Sequence, residues 1–362
     1  MREPFPPSVV NVKGISLKPL SRVFDRCFNF PRAAMYFLLL VECALRNWSL
    51  ENGCDYTFNS SDRLFHYIRR MSVDEVACLC NRLLEYAFKI FWMDRRHHLP
   101  VFMAIDTTDL ECKANNPEYT LFNVEKRGLK VRKLQVVRFA SISIVTGNFK
   151  LTLAVHPVKR GESTEVIVEK LLGEIPGGLT VRGLLMDKGF YNSGVINTLE
   201  RLGYKYVIPV KHYEDMTMQY HIAEITGVWH FKHTMNKGRS NECTFNVHLQ
   251  EAGLEYYIGF ATNLDMTGKD FHALEEAYRL RCNIEVGYRE SLEYKVKTKT
   301  RTHGYRVLIF TISHLLMNLQ SIIKQNSSAI ITISHMKEIL FPSLLTLGHG
   351  KRPMGKRFIL VY

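Results

Sequence analysis

The sequence predicts an α/β protein, a mixed sheet flanked by helices, with an all-α N-terminal region and a β-rich insertion. Three observations carry that prediction. Helical spacing dominates the stretch before Leu99. After it, short apolar strands joined by turn residues give way to helix, strand, helix and strand. Between Val210 and about Asn263 the pattern becomes short and alternating.

Taken in order, residues 1 to 29 open proline-rich and continue as a basic stretch without clear period, which reads as an arm. Pro31 to about Leu50 is strongly helical, and Asn52-Gly53 reads as a break. A second helical piece covers about 60 to 70. A third starts at Ser72, where SVDE supplies a capping box of Ser72 and Glu75. The basic run MDRRHH (93–98) closes this region, and Leu99-Pro100 leads into the first strand.

That strand, VFMAI, is followed by an irregular basic segment running to Lys133. Strands VVRFASISIV and FKLTLAVHP then form a hairpin about Thr146-Gly147-Asn148. Next come a helix with Ser163 at its N-cap, the strand GLTVRGLLM, the helix SGVINTLERLG and the strand YKYVIPV. Three hairpin-linked strands and then helix, strand, helix and strand is the order of a ribonuclease H-like fold. GVWHFKHT, ECTFNVHLQ and EYYIGFAT are the short strands of the insertion. A long helix over 278–301, a second over about 305–325 and a basic tail complete the chain. The resulting segments are 1–98, 99–210, 211–263, 264–325 and 326–362.

Composition narrows the function. The 362 residues are 46% hydrophobic and 23% charged, an ordinary folded composition, and the net charge of +13 points to a polyanionic partner, nucleic acid before membrane. Eight cysteines without CxxC spacing exclude a zinc knuckle and a disulfide framework, so they read as free thiols of a reducing cytoplasm. The longest apolar run, AMYFLLLV (34–41), is far short of the roughly 20 residues a bilayer requires.

Three acids stand out against this background. Asp106 follows five apolar residues, and Asp187 follows three in GLLMDKGFYN. A carboxylate at the end of a buried strand is costly unless paired or bound to a cation. On the 278–301 helix, Tyr278, Arg281, Glu285, Tyr288 and Arg289 share one face. Glu285 and Arg289 alone would be an i,i+4 surface pair contributing a few tenths of a kcal/mol. With Asp106 and Asp187, Glu285 instead completes an oxygen donor set for a hard divalent ion such as Mg2+ or Mn2+. Asp109, three residues past Asp106, reads as a loop acid rather than a ligand.

AIDTT, LLMDKGFYN and the YxxRxxxE pattern of Tyr278, Arg281 and Glu285 resemble the three acidic motifs of the DDE transposases of insertion sequences, IS4-like group. The family continues with a lysine seven residues after the glutamate, where this chain has Leu292. Lys295, Lys297 and Lys299 follow, and Lys299 returns to the Glu285 face if the helix continues. The resemblance implies two metal ions held by Asp106, Asp187 and Glu285, with Asp106 bridging, and a dimer on double-stranded DNA that cuts element ends and transfers strands to target DNA.

Arg281 and Tyr278 then position phosphate or bases, or else form an ion pair and core packing. Lys188 meets phosphate or only neutralises Asp187. Arg289, with the lysines and arginines at 126–133 and at 295–301, Lys295 and Lys299 among them, lines a DNA groove or a solvated surface. A ribonuclease H-like nuclease without strand transfer and a DNA-binding relative without catalysis are the other two readings.

Overall fold

The computed structural model describes residues 17–57, 60–91, 100–113, 116–127, 130–147, 149–211, 214–251, 257–265, 271–326 and 331–345. Among the described residues, five helices precede the sheet: α1 (Lys18–Phe28), α2 (Ala33–Arg46), α3 (Leu50–Thr57), α4 (Ser61–Arg69) and α5 (Val73–Phe91). Part of the expected arm is thus a helix. Pro19 starts α1, and Leu20, Phe24 and Phe28, four apart, are all buried.

Asn52-Gly53 is not a break but lies inside α3. A Cβ at Gly53 would stand 2.5 Å from Cys43 Sγ and 2.9 Å from Leu39 Cδ1, so the glycine is there to let α3 touch α2. The capping box at α5 is formed: Ser72 N–H donates to Glu75 Oε2 (2.6 Å), and Glu75 N–H donates to Ser72 Oγ (3.1 Å). The basic run 93–98 and the tail beyond 345 lie outside the described residues.

The sheet starts with β1 (Val101–Glu111), β2 (Thr120–Arg127), β3 (Lys130–Thr146) and β4 (Phe149–Pro157). It continues through α6 (Thr164–Gly173), β5 (Val181–Met186), α7 (Ser193–Arg201) and β6 (Tyr206–Pro209). β1 pairs antiparallel with β3 and parallel with β5, and β5 pairs parallel with β6. The long β3 has β1 on one edge and β2 then β4, end to end, on the other. The expected irregular segment is therefore wrong in part, because β1 runs on to Glu111 and β2 is a strand. Phe122 of β2 is exposed although apolar, which blurs the alternation by which a strand is read.

α8 (Glu214–Thr226) was hidden too, although its Met216, Tyr220 and Ala223 are buried at helical spacing. β7 (His230–Met235), β8 (Cys243–Glu251) and β9 (Tyr257–Thr262) then follow, and β9 pairs antiparallel with β6. These short strands extend the central sheet, giving nine strands among the described residues.

The expected long helix over 278–301 is not continuous. α9 (Phe271–Arg279) and α10 (Cys282–Ser291) are separated by a tightened turn in which Arg281 N–H donates to Tyr278 O and Ile284 N–H to Arg281 O. A 3-10 turn, Leu292–Tyr294, ends α10; Lys295 after it is extended, and Lys297 makes an isolated bridge to Ser49. Tyr294 and Val296 are fully buried between exposed Lys295 and Lys297, an alternation of two rather than of 3.6. Lys299 therefore does not return to the Glu285 helix face.

α11 (His303–Asn326) and α12 (Ile333–Leu345) follow. α11 is the one described helix long and apolar enough to cross a membrane, and it is buried inside the protein. Its His314 is a core histidine: Nδ1 is 3.0 Å from Thr152 Oγ1, and burial, helped by Lys150, lowers its pKa to about 3.

Two cores lie on opposite faces of the sheet. Phe102, Ala104 and Leu185 join one with α1 to α5 and α11; Met103, Ile105, Leu184 and Met186 join the other with α6, α7 and α8. Burial on both faces is why β1 and β5 read as unbroken apolar runs.

Candidate active site

The parallel pairing of β1 with β5 ends at Ile105 and Met186. The next residue on each strand is an aspartate. Ile105 and Met186 share one core, so by strand alternation Asp106 and Asp187 both turn to the opposite face. Adjacent strands lie about 4.8 Å apart, which sets the two acids side by side. Asp187 caps a 3-10 turn, Lys188–Phe190, with Oδ1 accepting from Gly189 N–H at 2.8 Å. A Cβ at Gly189 would lie 2.9 Å from that oxygen, so a glycine fits there.

α10 lies against β1 on this face. Tyr288 Oη donates to the backbone oxygen of Asp106 (2.8 Å) and stands 2.9 Å from Ser141 Oγ; Ser141 is the β3 residue paired with Asp106. Glu285, one turn before Tyr288, is thereby brought to the Asp106 end of the sheet. Tyr288 and Ser141 were given no role in the sequence. The available signals were a tyrosine on the Glu285 face and a hydroxyl within an otherwise apolar strand.

Arg281 connects the acids. Its Nη1 donates to Asp106 Oδ2 at 2.9 Å and its Nη2 to Glu285 Oε1. Its side chain is 12% exposed, that of Asp106 10% and that of Glu285 51%. The guanidinium lies 5.7 Å from the Tyr278 ring, and Tyr278 packs on Phe260. Glu285 thus turns back to Arg281 rather than forward to Arg289.

Burial raises the Asp106 pKa to about 6; the Thr107 N–H and Arg281 oppose this, while Asp187 and Glu285 add to it. Burial works against the Arg281 charge, but Tyr278, Asp106 and Glu285 raise its pKa above the usual value. Asp106 thus shifts as an acid with too little compensation, despite its partner. We take burial as the reason.

Among the described residues, no group of three or more His, Cys, Asp and Glu side chains stands as a ready metal cage. The donor chemistry nevertheless fits a hard divalent cation, with carboxylate oxygens at two strand ends and on a facing helix. A guanidinium already lodged between two of the acids shows that the pocket draws positive charge.

The other sequence candidates lie around this centre. Lys188 is exposed beside Asp187, Arg289 is exposed on α10, and Lys295 and Lys299 are exposed past its end. Leu292 is 47% exposed. Asp109 is held away by Arg138, at 2.7 and 2.9 Å, and by Asn123.

Two adjacent parallel strands thus each end at an acid, and a third acid stands on a facing helix. Residues 99–317 match the transposase DDE domain family, and the chain belongs to that family. No curated protein matches it in sequence. Among solved structures, the fold is similar to that of piggyBac transposase in a cryo-EM structure of its synaptic complex with hairpin DNA. The TM-score is 0.54 at 15% identity, covering 89% of this chain and 73% of that one. The mixed sheet with its helical N-terminal region is thus a transposase fold.

Proposed function

We propose that this protein is the transposase of an insertion sequence of the IS4-like group, acting in the cytoplasm on DNA as a dimer. It cuts the element's terminal repeats and joins the freed ends to target DNA. The observation that carries this is the meeting of Asp106 and Asp187 at neighbouring strand ends, with Glu285 tied to Asp106 through Arg281.

Asp106, Asp187 and Glu285 would hold Mg2+ or Mn2+, two ions in the full complement, which supply activation of the attacking oxygen and stabilisation of the leaving one. The chain's own part is positioning. β1 and β5 fix the two aspartates, and the Tyr288 hydrogen bond fixes α10 upon them. Arg281 and Tyr278 stand beside the acids, where the guanidinium can turn to a DNA phosphate and the ring to a base once Asp106 and Glu285 hold the ions. Lys188 and Arg289 flank it with exposed charge. Lys295, Lys297 and Lys299 form an exposed rail that alternates with buried Val296 and half-buried Thr298. Such a rail suits a phosphate backbone, and it supplies cations near the position where Leu292 lacks one.

The test uses the full chain with labelled duplexes carrying the repeats that flank its coding region. Asp106→Asn and Glu285→Gln are each expected to lose Mg2+-dependent cleavage at least a hundredfold (order of magnitude) while binding DNA nearly as the parent does. Full cleavage by either variant overturns the assignment. Cleavage without joining to target DNA leaves a nuclease.

A further inference from the structure

We propose that Arg281 is a positioning residue that assembles the acidic site ahead of the divalent cation and competes with that cation for Asp106 and Glu285. The inference rests on the reading of the three acids as cation ligands.

Its basis is which oxygens are engaged. Asp106 Oδ1 accepts from the Thr107 N–H at 2.7 Å, so Oδ2 is the oxygen left to face a cation, and Arg281 Nη1 stands on it at 2.9 Å. Glu285 gives Oε1 to Nη2 of the same guanidinium. Both contacts of the fork are thus to acids, and its buried Nε has no partner. No other cation bridges Asp106 and Glu285 among the described residues. Arg281 therefore compensates the two charges and holds α10 to β1, a task a planar two-pronged group does and a point charge does not.

A divalent ion needs the same oxygens. A guanidinium and a divalent cation on one carboxylate oxygen repel each other strongly in so little solvent. One of them has to withdraw. Arg281 has somewhere to go, because the Tyr278 ring already lies 5.7 Å from the guanidinium and can keep it while Asp106 and Glu285 are released. Removing the arginine should then strengthen cation binding, whereas an Arg281 that only braces the fold would leave binding weaker on its removal.

The experiment is titration of the DNA-free full chain with Mn2+ by calorimetry. Arg281→Gln is expected to bind at least about tenfold more tightly than the parent, and Arg281→Lys, which reaches one acid at a time, to fall between. Equal or weaker binding by both variants overturns the proposal. Should Arg281→Gln melt below the assay temperature, Arg281→Lys alone decides it. In the parent, the Arg281 side-chain 15N signals, identified by their absence from Arg281→Lys, are expected to shift on adding Mg2+; unmoved signals at saturation overturn it as well. Asp106→Asn separates the layers. If it binds Mn2+ as the parent does, the acids are not the ligands and the underlying reading fails; if it loses binding while Arg281→Gln gains nothing, only the competition fails.

Discussion

Asp106 is an acid made reluctant by its surroundings, and this sets its response to pH. Because its folded pKa is raised from 3.8 to about 6, the folded protein keeps a proton there that the unfolded chain gives up. The stability from that proton is present below about pH 4 and is lost as pH rises to about 6. Chemical denaturation across this window is expected to show parent stability falling relative to Asp106→Asn by up to about 3 kcal/mol. A constant difference would mean that Asp106 ionises normally. The three acids were legible because a carboxylate closing a buried run has to be explained. The Arg281 contact was not. Glu285 has an arginine four residues to either side, and what decides between them is Asp106, on a strand far away in sequence.

At the scale of elements, local signals failed where tertiary contact overrode them. Asn52-Gly53 has the chemistry of a turn, but Gly53 serves the crossing of α3 on α2. The sign of a substitution tells the two apart. Alanine for glycine within a free helix gains up to about 1 kcal/mol, whereas at Gly53 it is expected to cost about 1–3 kcal/mol through overpacking against Cys43 and Leu39. A thermal melt of Gly53→Ala that is unchanged or higher would contradict the crossing. The 278–301 segment erred differently. Its basic content hid the alternation of YKVKTKT, in which Tyr294 and Val296 go in and lysines stay out. The capping box of α5, the β3–β4 hairpin and α11 came through because their signals are local and nothing distant opposes them.

At the scale of the molecule, the charge of +13 becomes meaningful through where the cations are displayed. If Lys295, Lys297 and Lys299 meet three phosphates, replacing all three by glutamine is expected to flatten the slope of log affinity against log salt by about 2.7, roughly 0.9 per contact. Binding isotherms at several salt concentrations measure it, and an unchanged slope removes the rail from the interface. The sheet order was legible in outline, since hairpins and crossovers leave local marks. The sharing of one core by α1 to α5 and α11 was not, because it joins opposite ends of the sequence. That sharing bears on how the chain acquires its shape. α1 to α5 meet one another early, but the core they share is closed only when α11, near the end of the sequence, has been made. Such distant closure is slow, and part of that apolar surface stays open to non-native contact until it happens.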